Sequence, residues 1–264
     1  MESGKILEKM RAEKPLVHHI TNWVTIYDCA NIVRAFGALP VMAHAPEEVE
    51  EMAGIAGALV LNIGTLTTEL VDAMVLAGKK ANSKGIPVVF DAVGVGATSM
   101  RNEKAEYILD SVNIDIIKGN TSEVAKLAGF DAKTKGVESM GAKESPVEIT
   151  KKLSSSRNCT AVITGKEDVV SGNKSTFVVK NGHRLMGEFV GSGCMSSSVI
   201  GAFAAVEKDY AVASAAGLAC FGIAGELAAK EATAPAGYKA RLFDESYLLT
   251  RDKVDSMQKI EEVK

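Results

Sequence analysis

The feature that most constrains this chain is a repeated alternation. Short apolar runs at 16–20, 39–42, 58–62, 87–91, 114–118 and 161–164 are separated by helix-periodic segments, among them 23–36, 46–55, 67–84 and 102–111. Short apolar runs bounded by turn residues are strands covered on both faces, and such strands joined through helices pair in parallel. The expectation is a three-layer α/β fold: a mostly parallel central sheet with helices on both faces. Runs at 168–171 and 175–180 flank Gly172-Asn173-Lys174, the pattern of an antiparallel hairpin, here placed at a sheet edge. Helical patterns close the chain at 195–206, 210–230 and 245–260, and a charged, helix-like segment opens it. Residues 131–146, rich in Asp, Lys, Gly, Ser and Glu, read as a polar loop, because the alternation continues beyond them. Residues 1–264 are therefore read as one domain, with no lid inserted near the N-terminus.

Composition excludes some classes of function. The net charge of −3 leaves no basic excess for a phosphate backbone, so nucleic acid is not an expected partner. The apolar stretch 210–225 falls short of the ~20 residues of a membrane span and reads as a buried helix, and the N-terminus has no signal-like apolar core. Cys29, Cys159, Cys194 and Cys220 show neither a CxxC pair nor an accompanying His-x-x-x-His. They read as reduced, mostly buried thiols of a cytosolic protein.

Ligands of open α/β sheets collect where strands end and loops begin, and four such junctions carry polar or glycine-rich residues. Gly191-Ser192-Gly193-Cys194 opens an apolar helix. Free N–H groups and the positive end of the helix dipole favour an anion there, and glycine lets a phosphate come close. The plainer reading is a strand–helix turn capped by serine. Asp91 ends an apolar strand beside Gly94 and Gly96, suiting either a magnesium shell or a turn. Lys118 stands at another strand end, within reach of a phosphate. Asn120 and Glu123 follow at capping-box spacing, so Glu123 is either a cap or a second magnesium carboxylate. Thr164, before Gly165, either meets a phosphate or closes a turn. His18 and His19 point to opposite faces of one strand and read as structural, and Met42 and Trp23 read as core by default.

Seven segments occur in order: His19-Ile20-Thr21-Asn22, Pro40-Val41-Met42-Ala43, Leu61-Asn62-Ile63-Gly64-Thr65-Leu66, Asp91 to Ala97, Lys118-Gly119-Asn120-Thr121-Ser122-Glu123, Val162-Ile163-Thr164-Gly165 and Gly191-Ser192-Gly193-Cys194. Together, over roughly residues 15–230, the chain resembles the hydroxyethylthiazole kinases, a ribokinase-like family. The resemblance implies ATP- and Mg2+-dependent phosphorylation of 4-methyl-5-(2-hydroxyethyl)thiazole, in the cytosol, by a homotrimer with sites near subunit contacts. It implies that Lys118 and Thr164 bind ATP, that Met42, Gly191 and Asn22 meet the thiazole, and that Asp91 and Glu123 hold magnesium. Gly191, Ser192 and Gly193 would form the anion hole. Cys194 takes the place where the wider superfamily has its catalytic Asp. A helix N-terminus lowers a thiol's pKa, which leaves a thiolate base open beside the simpler role of shaping the pocket. Three positions depart from the family pattern: Ala92 for Pro, expected to loosen the magnesium loop, Ser192 for Thr, and His19 for Asn. Kinases of hydroxymethylpyrimidine or pyridoxal, nucleotide-dependent dehydratases of hydrated nicotinamide cofactors, and a non-catalytic nucleotide-binding protein are the alternatives.

Overall fold

The computed structural model describes residues 1–130, 134–135, 138–139 and 144–263. The elements run α1 (Ser3–Glu13), β1 (Leu16–Ile20), α2 (Ile26–Phe36), β2 (Leu39–Val41), α3 (Val49–Ile55), β3 (Ala58–Asn62), α4 (Thr68–Lys84), β4 (Val88–Asp91), α5 (Ser99–Ser111), β5 (Ile116–Gly119) and α6 (Thr121–Leu127). After these come β6 (Thr134–Lys135), β7 (Glu138–Ser139), α7 (Pro146–Arg157), β8 (Thr160–Ile163), β9 (Asp168–Ser171), β10 (Thr176–Val179), a 3-10 turn (Arg184–Gly187), α8 (Ser192–Ala204), α9 (Tyr210–Ala228), α10 (Pro235–Leu248), α11 (Arg251–Met257) and β11 (Ile260–Val263). Nine strands make one sheet, ordered β11-β10-β9-β8-β5-β4-β3-β1-β2. Pairing is parallel from β2 through to β8 and antiparallel across β8, β9, β10 and β11.

The period-2 alternation of a strand explains why these runs are apolar throughout. In β3, Ala58 and Val60 join one core with Ile32, Phe36, Val199 and Phe203 of α2 and α8. Leu59 and Leu61 join the other, with Leu70, Met74, Ile108 and Leu153 of α4, α5 and α7. Helix α8 lies close against the sheet because position 201 is glycine: a Cβ there would stand 2.6 Å from Val60 Cγ2. Helix α9 is long and apolar enough to cross a membrane, yet 83% of its most apolar stretch is buried inside the fold, as in a core helix.

The structure departs from the sequence reading in a few places. The pattern at 245–260 is not one helix. Helix α10 begins earlier and stops at Leu248, Thr250 accepts a hydrogen bond from Lys253 N at 3.3 Å to start α11, and β11 then extends the sheet edge beside β10. Ile260-Glu261-Glu262-Val263 has no alternating pattern, so a half-exposed edge strand was not legible there. The polar segment 131–146 lies largely outside the described residues. Within it β6 and β7 pair, and Ser145 already caps α7. Trp23 is not core: it is 49% exposed, with its ring edge-on to His44 at 4.8 Å. Met42 is only partly buried, just past β2.

From β1 the chain first adds β2 on one side and then β3 on the other. That reversal is a topological switch point, and in parallel sheets the crevice beyond the carboxyl ends of such strands is where ligands bind. Asn22 follows β1 there, and Asn62 ends β3.

Candidate active site

Strand register builds the centre of the site. Asn62 lies opposite Asp91, and Asp91 opposite Lys118, so the ends of β3, β4 and β5 set three buried polar side chains in one row. Lys118 Nζ donates to Asp91 Oδ1 at 3.3 Å and to the carbonyl of Gly193 at 2.9 Å. Asn62 Nδ2 and Ser197 Oγ each donate to Asp91 Oδ2 at 2.8 Å. Burial alone would lower the Lys118 pKa, but nearby negative charge, that of Asp91 first, outweighs it, so the ammonium is held above its ordinary value.

Cys194 sits in the first turn of α8 against two amides: its Sγ accepts from Asn62 Nδ2 at 3.3 Å and from Asn22 Nδ2 at 3.4 Å. Burial first, and the Asp91 charge second, push the thiol above its ordinary range. It is therefore a neutral thiol at neutral pH, so burial outweighs the lowering expected at a helix N-terminus. The N-cap of α8 is Gly191, at φ +106° and with no side-chain cap, so the serine-capped turn is not what forms. A Cβ at Gly191 would stand 2.9 Å from Thr25 Cγ2. The first-turn N–H groups of α8 therefore have no side-chain cap, and such groups can receive an anion. Ser196 Oγ, at 2.6 Å, joins Lys118 in holding the Gly193 carbonyl.

Glu123 is both cap and clamp. Its Oε2 accepts from Asn120 N at 2.7 Å, completing the capping box of α6, and its Oε1 accepts from Gly94 N at 2.7 Å, tying down the loop after Asp91. Burial, eased by these two N–H groups, pushes the carboxyl up to about 7. At Ala92, where a looser loop was expected, the N–H donates to the Lys118 carbonyl at 2.9 Å, a bond a proline lacks.

Beside α8 opens a cavity of about 790 Å³, whose lining includes Thr164, Ser192, Gly193, Ser196, Arg184 and Phe221. The structure thus brings together Asn22, Asp91, Lys118, Glu123, Gly193 and Cys194, and places Thr164 and Ser192 on the cavity wall. Met42 is not part of that wall. Sequence reasoning gave no role to Asn62, Ser197 or Arg101. Arg101 ties the loops after β3 and β4 together by donating to the carbonyls of Ile63, Val93 and Gly64 at 2.7, 2.8 and 2.8 Å. A polar end to an apolar strand was a signal for Asn62; nothing marked Arg101. Among the described residues no cluster of three or more His, Cys, Asp or Glu side chains is arranged to hold a metal.

The two adjacent histidines serve the fold. His18 Nε2 meets the Ala43 carbonyl at 2.7 Å and His19 Nδ1 the Val17 carbonyl at 3.0 Å. His18 Nδ1 and His19 Nε2 are buried without a partner among the described residues. Burial drives His19 down to about 4. A histidine depressed in the folded state binds its proton more readily when unfolded, so its contribution is intact above about pH 6.5 and is lost as pH falls toward 4. By pH 5 this amounts to about 2 kcal/mol, or roughly 5 °C in Tm. His19→Asn is expected to lose that much less between pH 7.5 and pH 5 in thermal melts; parallel curves for the two chains would show that His19 titrates normally.

A mostly parallel sheet with helices on both faces, and with buried polar groups at one end of its strands, is the ribokinase-like fold. The profile of the Hydroxyethylthiazole kinase family matches residues 7–252, and the chain belongs to that family. It is 60% identical to the hydroxyethylthiazole kinase of Methanosarcina mazei over 97% of this chain and 98% of that one. It is 56% identical to that of Methanosarcina acetivorans over 97% and 98%. The solved structure of the hydroxyethylthiazole kinase protein from Pyrococcus horikoshii superposes with a TM-score of 0.90 at 38% identity, covering 99% of both chains.

Proposed function

We propose that this chain, acting as one catalytic domain in the cytosol, transfers the γ-phosphoryl group of ATP to the hydroxyl of 4-methyl-5-(2-hydroxyethyl)thiazole. The observation that carries this reading is the two-sided first turn of α8. Ser192, Gly193 and Ser196 line the cavity, while Cys194 faces Asn22 and Asn62 at the switch point. Nucleotide on one side and alcohol on the other would meet at the α8 N-terminus. There Gly191, Ser192 and Gly193 offer N–H groups to charge developing on the transferred group. Thr164 and Lys118 bind the nucleotide, and Lys118 keeps its charge at the phosphates because Asp91 holds it. Asn22, Gly191 and Met42 contact the thiazole. Cys194, as a neutral thiol, orients the alcohol.

Asp91 and Glu123 fit a magnesium ion that arrives with the nucleotide. A site of one or two carboxylates plus phosphates and water is how this ion usually binds, and a buried carboxyl raised to about 7 is one that a cation would ionise. The ion would offset charge on the phosphates. Trp23, Val24, Tyr27 and Val190, large apolar side chains exposed next to Asn22 and Gly191, are consistent with a homotrimer whose subunits meet beside the site.

An ADP-release assay over a panel of vitamin-precursor alcohols, with and without magnesium, tests the reading. Magnesium-dependent phosphorylation of the thiazole alcohol, seen by mass spectrometry, is expected. Preferential turnover of hydroxymethylpyrimidine or pyridoxal would overturn the substrate, and phosphate released without any phosphorylated alcohol would overturn the reaction.

A further inference from the structure

We infer that Asn62 is a positioning residue for phosphoryl transfer: its buried amide locks the Cys194 sulphur and the Asp91 carboxylate into one hydrogen-bonded unit. This rests on the reading of Cys194 and Asp91 as working groups of the site.

Asn62 is 1% exposed, and the full hydrogen-bonding capacity of its amide, two donors and two acceptor positions, is used. Nδ2 gives one hydrogen to Asp91 Oδ2 at 2.8 Å and the other to Cys194 Sγ at 3.3 Å. Oδ1 accepts from Asn22 Nδ2 and from Gly64 N, both at 2.9 Å. The orientation of the amide is forced. An ionised carboxylate only accepts, so the NH2 group must face Asp91, and its second hydrogen then points to the sulphur. The same amide holds Asn22, whose other hydrogen goes to the sulphur as well. With two N–H groups occupying its lone pairs, the sulphur is left to aim its own hydrogen away from the amides. A strand-end asparagine with a purely structural task needs only the bond to Gly64 N, which closes its local turn. The other three bonds join β1, β4 and α8, the elements that carry the proposed alcohol and phosphate groups.

The test compares Asn62→Leu and Asn62→Asp in two backgrounds, the natural chain and Cys194→Ala, with melting curves to confirm folding. In Asn62→Asp a carboxyl replaces the amide: it still accepts from Gly64 N, but position 62 no longer gives the sulphur a donor, leaving only that of Asn22. Each substitution is expected to lower kcat about tenfold or more in the natural chain and less than about threefold in Cys194→Ala, with KM for ATP nearly constant, because the two residues act as a unit. Equal fold losses in both backgrounds, or an unchanged kcat, would overturn the inference. Alkylation of Cys194 by iodoacetamide in the ligand-free protein, mapped by peptide mass, gives a readout independent of the substrate. Asn62→Asp is expected to slow it about fivefold, the equivalent of one lost hydrogen bond, since the sulphur loses a donor that stabilises its developing charge. An unaltered rate would sink the coupling whether or not the thiazole alcohol is the substrate; failure to phosphorylate that alcohol with the rate slowed would leave the coupling standing.

Discussion

Asp91→Ala is expected to lower kcat by about 10³-fold or more and to destabilise the fold by about 3–5 kcal/mol. Both effects have the same origin. Asp91 is fully buried, and three donors converge on it: the Lys118 ammonium, the Asn62 amide and the Ser197 hydroxyl. Removing the carboxylate leaves the lysine as a buried charge without its partner, and burial, the largest influence on Lys118, is no longer outweighed by the nearest negative charge. The ammonium that would neutralise the phosphates then becomes easier to deprotonate, and the proposed magnesium site loses one of its two carboxylates. Asp91→Asn separates stability from chemistry. It keeps the size and one acceptor oxygen, so it should fold better than the alanine variant while remaining at least about 10²-fold impaired. Urea denaturation beside magnesium-titrated kcat distinguishes the two. Wild-type turnover by Asp91→Asn would remove the carboxylate from the chemistry.

Much of this was legible in the sequence, for identifiable reasons. Strands β1, β3 and β9 fall where the apolar runs put them. Each is buried along nearly its whole length, so the pattern cannot slide without exposing carbon to water. The candidate site residues Asp91, Lys118 and Glu123 were visible as polar groups closing apolar strands or opening helices. Asn62 had the same signal, but its role depends on register, Asn62 beside Asp91 beside Lys118, and register between strands far apart in the chain is set by tertiary packing. Arg101 was hidden more deeply, since its partners are backbone carbonyls that no side-chain pattern announces. The expectation of a loosened loop at Ala92 considered the stiffness that a proline adds and not the N–H that an alanine donates to the Lys118 carbonyl. Strand β11 escaped because an edge strand with one solvated face and two glutamates carries no core pattern.

Residue 194 should show the widest spread of rates between substitutions at one position. Cys194→Ala removes the acceptor that Asn22 and Asn62 share and leaves two buried N–H groups facing a void, so kcat is expected to fall about 10²-fold, the scale of a misplaced reacting group. Cys194→Asp should match or exceed the natural chain. A carboxylate there would receive the same two amide N–H groups, the positive end of α8 and the nearby Lys118 charge, all of which favour its ionised form. Unlike the neutral thiol it is a competent proton acceptor, and general-base help is commonly worth about 10²–10⁴-fold. Repulsion from Asp91 opposes it, as does repulsion from the γ-phosphate, but the phosphate would arrive partly neutralised. The pH profiles should differ in kind. Because burial and Asp91 raise the thiol, any contribution from thiolate in the natural chain appears only as a rise in kcat toward alkaline pH. The Asp variant should be flat there, since its carboxylate is already ionised. The measurement is kcat for the three chains at saturating ATP and thiazole alcohol across pH. Equal rates in all three would take residue 194 out of proton transfer and out of orientation alike, leaving catalysis to the α8 N–H groups, Lys118 and the charge offset at Asp91.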